Sequence, residues 1–345
     1  MPNSNLNRAK EAKKDEFYTQ LEDINKELCN YSEHFRGKTV LCNCDDPRIS
    51  NFFTYFAYNF EFLGLRRLIT TCYKNQDMDL FSQNACEQAV YLVYDGDRNG
   101  NNIPDPAEIG IHPLHGDGDF RSQECIRLLE QADIVVTNPP FSLFREYVTQ
   151  LMKYHKQFLI IGNMNAITYK EIFPLIKDNK LWLGVTRKGT GSMWFRIPDD
   201  SPEKTGQKTE NGVRFQTIGS SAWFTNLDHK DRHEELVLYK TYNVEEYPHY
   251  DNYDAIEVGK TENIPCDYDG VMGVPITFLG KYNPEQFEIL GITDRENIGL
   301  TSNSANLNEK NAAISSLIIP GHKKYDRPYI NGERKYARIL IRRKQ

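Results

Sequence analysis

Residues 133–141 read Asp-Ile-Val-Val-Thr-Asn-Pro-Pro-Phe. The apolar and β-branched run is too short for a helix and has no polar alternation, so it predicts a strand buried on both faces. Asn138 ends that strand, and Pro139 and Pro140 fix the backbone just beyond it. The same texture extends outward in both directions. Thr39–Asn43, Arg67–Tyr73, Ala89–Tyr94 and Phe158–Gly162 read as further short strands. Ser50–Leu63 (closed by Gly64), Glu124–Gln131 and Ser142–Tyr154 read as helices between them. Short apolar strands separated by helices predict an α/β fold with a doubly wound, mainly parallel sheet, whose ligands bind at the carboxyl ends of the strands. After about residue 185 the texture changes. Val213–Phe224 alternates and suggests antiparallel strands, and short strands are expected at Glu235–Tyr239 and Arg338–Ile341. The expected division is a basic arm at 1–14, an α/β domain at 15–230 and a smaller, mostly β region at 231–345.

The composition is that of a globular protein, 39% hydrophobic and 26% charged. No apolar run reaches the roughly 20 residues that span a bilayer, and Met1–Lys14 is polar and lysine-rich. A soluble cytoplasmic protein with no membrane partner is expected. Seven cysteines without any CxxC pair argue against a disulfide framework and a four-ligand zinc site. The net charge of −6 is unevenly spread: Lys323–Gln345 holds nine Lys/Arg against Asp326 and Glu333. Such segregation suits a protein with one face toward phosphate, and it equally suits a solvated basic tail.

Asn138-Pro139-Pro140-Phe141 carries the chemistry. An aromatic exocyclic amine is a poor nucleophile because its lone pair is delocalised into the ring. Two acceptors on that NH2, the Asn138 amide oxygen and the Pro139 carbonyl, draw the nitrogen toward sp3 and localise the pair. The prolines place the acceptors before the base arrives, and Phe141 offers a face for an extruded base. The plainer alternative is a proline-stiffened turn with Asn in its usual turn role. Trp194, Phe195, Trp223 and Phe224 are the candidates for a second wall of the pocket.

The tetrad resembles the catalytic motif of amino-methyltransferases acting on adenine. Asp15-Glu16-Phe17-Tyr18-Thr19-Gln20 is similar to the Phe-Tyr-Thr motif that precedes the cofactor strand in these enzymes, and Gly118-Asp119-Phe120 is similar to their cofactor-adenine motif. Together with the Leu41–Leu80 stretch containing CNCDDPRISNFF and the ending Tyr336–Leu340, these segments make the chain resemble the EcoRI-type adenine methyltransferases over most of its length. The resemblance implies a Rossmann-like methyltransferase domain followed by a DNA target-recognition region. It implies transfer of methyl from S-adenosyl-L-methionine to adenine N6 in duplex DNA. Asn138, Pro139, Pro140 and Phe141 would be catalytic; Phe17, Tyr18, Thr19, Asp45, Asp46, Asp119 and Phe120 would bind the cofactor. A monomer is expected, with no stable protein partner and with a cognate restriction endonuclease as its counterpart in function. Other readings of the tetrad are methylation of RNA adenine, of a protein glutamine amide or of cytosine N4, or a DNA-binding module without cofactor.

The departures concern the cofactor loop. Where most members have a glycine-rich turn, this chain has Cys42-Asn43-Cys44-Asp45-Asp46-Pro47. Asp46-Pro47 is also an ordinary helix start. The acid expected after the second strand is missing, with Asp77 a loose substitute. Asp95–Gly100 opens like a calcium loop, but Asn102 and Pro106 break the pattern, and a polar turn is expected. His112, His115 and Asp117 lack a further spaced ligand, so no metal is expected. Only about 90 residues separate Pro47 from Asn138, which places the DNA-reading segment mostly after residue 190.

Overall fold

The computed structural model describes residues 18–43, 50–71, 89–101, 104–105, 107–186, 193–197, 199, 201–217, 219, 221–294, 314–322 and 324–344. The chain divides into two units, Met1–Met164 with Gly184–Asp228, and Asn165–Leu183 with His229–Gln345. Residues 165–183 therefore group with the second unit. The 1–14 arm, Phe17, Asp45, Asp46 and Asp77 lie outside the described residues.

In the first unit the apolar runs form β1 (Thr39–Cys42), β2 (Arg67–Thr71), β3 (Val90–Tyr94), β4 (Ile109–Pro113), β5 (Ile134–Thr137) and β6 (Gln157–Asn163). Their order is β4-β3-β2-β1-β5-β6, continued by the strand Ser221–Thr225. The middle is parallel: β1 pairs with β2 and β5 in parallel, as β5 does with β6. The flanks are not. β3 runs antiparallel to β2, β4 to β3, and Ser221–Thr225 to β6. The α/β sheet is thus parallel through its middle, as expected, and mixed when its flanks are included. The described residues between β3 and β4 hold a polar turn and no helix, so the chain returns as a hairpin. β4 itself was not expected. It carries Gly110 and Pro113 and lies at the sheet edge, where such residues are tolerated.

Alternation along the strands divides the core. Val40, Cys42, Leu68, Ile134, Val136, Leu159, Ile161 and Trp223 pack with Ile24, Leu28, Phe52, Phe56 and Phe60, from helices Leu21–Leu28, Asn51–Tyr58 and Phe60–Leu63. Ser50 caps the second of these by accepting from Phe53 N at 3.5 Å, and Gly64 closes the third at φ 61°. The helix described after β1 begins at Asn51 with Ser50 as its cap, and Asp46–Pro47 lies outside the described residues. On the other face helix Phe144–Lys153 buries Phe144, Tyr147, Val148 and Leu151, one apolar stripe at helical spacing. Phe144 meets Phe224 edge-on at 5.1 Å, and a Cβ at Gly162 would strike the Phe144 ring.

The fully buried Glu27 carboxyl is held by hydrogen bonds, with no ion pair among the described residues. Its oxygens accept from Tyr31 OH (2.9 Å), Val185 N (2.8 Å), Thr186 N (2.7 Å) and the Thr186 hydroxyl. Burial raises its pKa, and those hydrogen bonds oppose the rise. Gly184 admits this cradle, since a Cβ there would meet both Glu27 and Trp223.

In the second unit a sheet runs in the order Ile256–Glu257, Met272–Val274, Ile339–Arg343, Phe287–Ile292. The expected strand at Glu235–Tyr239 is irregular instead. Leu236 gives its N–H and C=O to the Gln286 side-chain amide, at 2.8 Å each, and not to a neighbouring strand. Asn252, with no exposed surface, is the knot of this unit. Its amide donates to Lys324 O (3.0 Å) and Arg327 O (2.8 Å) and accepts from Tyr329 N (3.0 Å). Asn252→Ala leaves three backbone groups without their partner, each costing about 1–3 kcal/mol. The expected loss is roughly 3 kcal/mol or more, read as a lowered urea midpoint at unchanged slope.

Candidate active site

The connections from β1 and β5 depart in opposite directions, to β2 on one side and β6 on the other. Between such strands lies the crevice in which open α/β sheets bind ligands. Asn43 and Asn138, each the residue just past its strand, stand at that crevice. A side-chain bond joins the two ends: the Thr137 hydroxyl donates to Asn43 O. A second reaches across from the following helix, where Tyr147 OH donates to Asn43 Oδ1.

Asn138 and Pro139 are buried, Pro140 and Phe141 half-buried. The Pro140 carbonyl accepts from Leu143 N at 2.9 Å in the turn that starts the helix. The Pro139 carbonyl accepts no backbone bond among the described residues, as an acceptor reserved for a ligand requires. Phe141 stands edge-on to Phe195, with centroids 6.5 Å apart and planes at 85°. Among the four wall candidates, Phe195 thus touches Phe141. Trp223 and Phe224 are buried in the core, and half-buried Trp194 carries Lys208 Nζ 4.5 Å above its ring.

Tyr18 and Thr19 belong to the same neighbourhood. Tyr18 forms a two-bond bridge with Arg196, at 2.9 and 3.0 Å, beside Phe195. Thr19 O accepts from Asn51 Nδ2 at 2.7 Å, at the start of the helix after β1. The Thr19 hydroxyl is buried without a hydrogen-bond partner among the described residues.

Gly118, at φ 81°, takes a backbone conformation that favours glycine, and it leads into Asp119 and Phe120. The Phe120 ring meets Tyr147 edge-on at 5.0 Å, and its carbonyl accepts from Gln150 Nε2 at 2.9 Å. Asp119 is gripped by Arg121 through Nε–Oδ1 (2.9 Å), Nη2–Oδ2 (2.6 Å) and the backbone N–H (2.8 Å). Burial pushes its carboxyl pKa up, and the Arg121 hydrogen bonds and charge together bring it below the ordinary value. Arg121 is itself held by Glu146 at 2.9 Å. Three bonds on a carboxylate with about four lone-pair sites leave one on Oδ2 for a donor. Glu146, Tyr147 and Gln150, all on the helix that begins just past the tetrad, thus support the Asp119–Phe120 loop.

Asn43, Tyr147, Arg121 and Gln150 did not stand out in the sequence. Tyr147 occupies an ordinary core position of an amphipathic helix, and Asn43 lies within a stretch noted for its cysteines.

The other signals resolve into local structure. Asp95 pairs with Arg67 at 2.6 and 3.0 Å. Asp97 accepts from Asn99 N and Gly100 N, and Glu108 from Arg98 N and Asn99 N. The loop's carboxylates thus serve its own turn. His112 stacks on Tyr91 at 4.7 Å. No group of three His, Cys, Asp or Glu among the described residues could hold a metal. No helix among them is long and apolar enough to cross a membrane.

Comparison with known proteins identifies a family. Residues 5–344 match the family described as adenine-specific methyltransferase EcoRI. The chain belongs to this family. It is 53% identical to the Type II methyltransferase M.EcoRI of Escherichia coli, over 84% of this chain and 89% of that protein. It is 40% identical to M.MgeORF184P of Mycoplasma genitalium, over 99% of both chains. M.MpnI of Mycoplasma pneumoniae is 38% identical over 99% of this chain and 98% of its own. No solved structure matches. The protein is an adenine-specific DNA methyltransferase, and its family implies a methyl donor.

The Asp119–Arg121 pair carries a pH signature. A carboxylate whose folded pKa is depressed stabilises the fold above its unfolded pKa of about 3.9 and loses that contribution as pH falls through the folded value. Arg121→Ala should therefore cost about 0.2–1 kcal/mol at neutral pH, the scale of a partly exposed pair. The gap from wild type should close as pH falls from about 5 through the lowered folded value of the Asp119 carboxyl, measured by urea unfolding at each pH.

Proposed function

We propose that the enzyme methylates N6 of an adenine extruded from duplex DNA, with S-adenosyl-L-methionine as the donor. The observation that carries this reading is the placement of Asn138 and Pro139, two preset acceptors at the carboxyl end of β5, with the Phe141 face beside them. They accept the two N–H bonds of the adenine amine and localise its lone pair, and no charged base is needed. The proton leaves to solvent after transfer. Phe141, backed by Phe195, stacks on the extruded base.

The residues present fit the donor. The buried, unpartnered Thr19 hydroxyl and the remaining Asp119 lone pair are polar groups waiting for a ligand. S-adenosylmethionine supplies an activated methyl on a sulfonium. Tyr18, Thr19, Asp119 and Phe120 would hold it, Asp119 accepting a hydrogen bond from the adenine amine and Phe120 packing on the ring. Phe17, Asp45 and Asp46 are assigned to the same task from their motifs alone. In this reading the first unit is the Rossmann-like methyltransferase domain and the C-terminal region reads the DNA target. The enzyme works as a cytoplasmic monomer and protects host sites from a cognate restriction endonuclease.

Asn138→Ala should lower methyl transfer by about 100-fold or more, the scale of losing one preorganised polar contact to the reacting group. Calorimetric binding of S-adenosylmethionine should stay within about twofold of wild type. Transfer by the variant at the wild-type rate would remove Asn138 from the mechanism. Sequencing DNA from an expressing host should find N6-methyladenine in one short sequence context.

A further inference from the structure

The strands Trp194–Arg196, Val213–Thr217 and Gln207–Glu210 of the first unit form a small antiparallel sheet. The last two make a hairpin that turns at Asn211 and Gly212, both at positive φ. The two faces of this sheet differ. The inner one buries Phe195, which backs Phe141, and Gln216, whose amide donates to Thr205 O (3.2 Å) and Thr217 O (3.0 Å). On the outer one the register sets Arg196, Phe215 and Lys208 in a row across the sheet, with Trp194 and Thr217 in the next row. Two cations stand there in different states. Arg196 is exposed, and its guanidinium makes no ion pair among the described residues. Lys208 Nζ lies 4.5 Å from the centre of the Trp194 ring, 5.7 Å from that of Phe215 and 2.8 Å from Glu210 Oε1. The rings hold the end of a flexible stem in place, and Glu210 takes one of the three ammonium donors. That ion pair is exposed, so a phosphate can replace it at little cost. Aromatic rings interleaved with cations on an open sheet suit a nucleic-acid strand. The location suits one as well. Trp194 and Arg196 each lie about 3.3 Å along the strand from Phe195. The phosphates of an extruded nucleotide are joined to its base through a single sugar, so the strand that carries it passes the rim of the Phe141–Phe195 wall.

We propose that Arg196 and Lys208 bind backbone phosphates of the DNA strand that carries the target adenine, with Trp194 and Phe215 as the residues that position Lys208. This rests on the extruded adenine lying at Phe141. It gives the first unit a DNA contact of its own, besides the C-terminal region that reads the target. Phosphate contacts fix register and orientation without reading sequence, so these cations hold the backbone of the target nucleotide and are indifferent to its neighbours. Glu210 works against them, because its carboxylate competes with phosphate for the Lys208 ammonium.

The test titrates the full chain with two duplexes over a range of salt, one carrying the context methylated in the host and one of scrambled sequence. Arg196→Gln and Lys208→Gln should each lower the slope of log K against log salt by about 0.9, the value of one phosphate contact. Each should also weaken the two duplexes alike. Glu210→Gln should tighten both severalfold. Trp194→Leu should weaken both severalfold and add nothing in a Lys208→Gln background, because the two act through one contact. Lys153→Gln removes an exposed cation at the end of its helix farther from the tetrad and should leave the slope unchanged. Wild-type slopes in Arg196→Gln and Lys208→Gln, weaker binding in Glu210→Gln, or an equal change in Lys153→Gln would each overturn the assignment. Weaker binding at an unaltered slope would mark a structural role and overturn it as well. Full methyl transfer by Phe141→Ala would instead overturn the placement of the base, and the salt slopes report the phosphate contacts independently of it.

Discussion

The closure between the ends of β1 and β5 is the constraint on which the site depends. The two strands are joined by ladder bonds only along their lengths, at Val40–Ile134 and Leu41–Val135. Beyond that β5 runs into two prolines. The Thr137 hydroxyl on Asn43 O carries the pairing one step further, and Tyr147 OH on Asn43 Oδ1 ties in the helix that follows the tetrad. Acceptors and donors at a reaction centre act usefully only when held before the substrate arrives. Here that rigidity comes from a buried hydroxyl, a buried phenol and two prolines, with no ion pair at the centre among the described residues.

The same helix makes the two halves of the site mechanically one. It starts in the turn at Phe141–Leu143 and presents Glu146, Tyr147 and Gln150 to the Gly118–Phe120 loop. Its opposite anchor is apolar, with Phe144 filling the space that Gly162 leaves on β6. A displacement of the helix that spoiled the Asp119–Phe120 loop would also pull on Asn43 and on the tetrad. Well-packed interiors resist such partial displacements because their contacts have discrete arrangements.

Much of this was legible in the sequence. Buried strands of four to seven residues announce themselves by continuous apolar runs, and β1, β2, β3, β5 and β6 follow that rule. The tetrad was legible because its chemistry is covalent and local: prolines fix angles wherever they occur. β4 was not, since a Gly and a Pro in a five-residue edge strand erase the pattern. Strand direction is also invisible to periodicity, and the antiparallel flanks depended on the length and polarity of a loop. Asn43 and Tyr147 were hidden for a different reason. Their significance lies in a contact spanning about a hundred residues of sequence, and nothing in either local pattern distinguishes a core tyrosine from one whose hydroxyl ties a helix to the end of a strand.

The basic C-terminus shows how a charge count misleads when fold is ignored. Of its cations, Arg338 is paired with Glu257 at 2.6 Å and both side chains are nearly buried. Arg327 reaches Asp294 at 2.7 Å, Arg334 reaches Asp326 at 2.6 Å, and Lys344 donates to Pro284 O at 2.7 Å. The strand Ile339–Arg343 lies inside its sheet, with Ile339, Leu340 and Ile341 buried. A cation neutralised inside the protein releases no counterions when DNA binds, so Arg338 contributes nothing to phosphate affinity. An exposed pair such as Arg334–Asp326 is different, because exchanging a carboxylate for a phosphate costs little when the pair is worth at most about 1 kcal/mol. Lys324 and Arg342, exposed and without an ion pair among the described residues, need no exchange at all. In the proposed reading the segment's attraction for DNA is carried by its exposed cations, and its buried ones hold the unit that presents them.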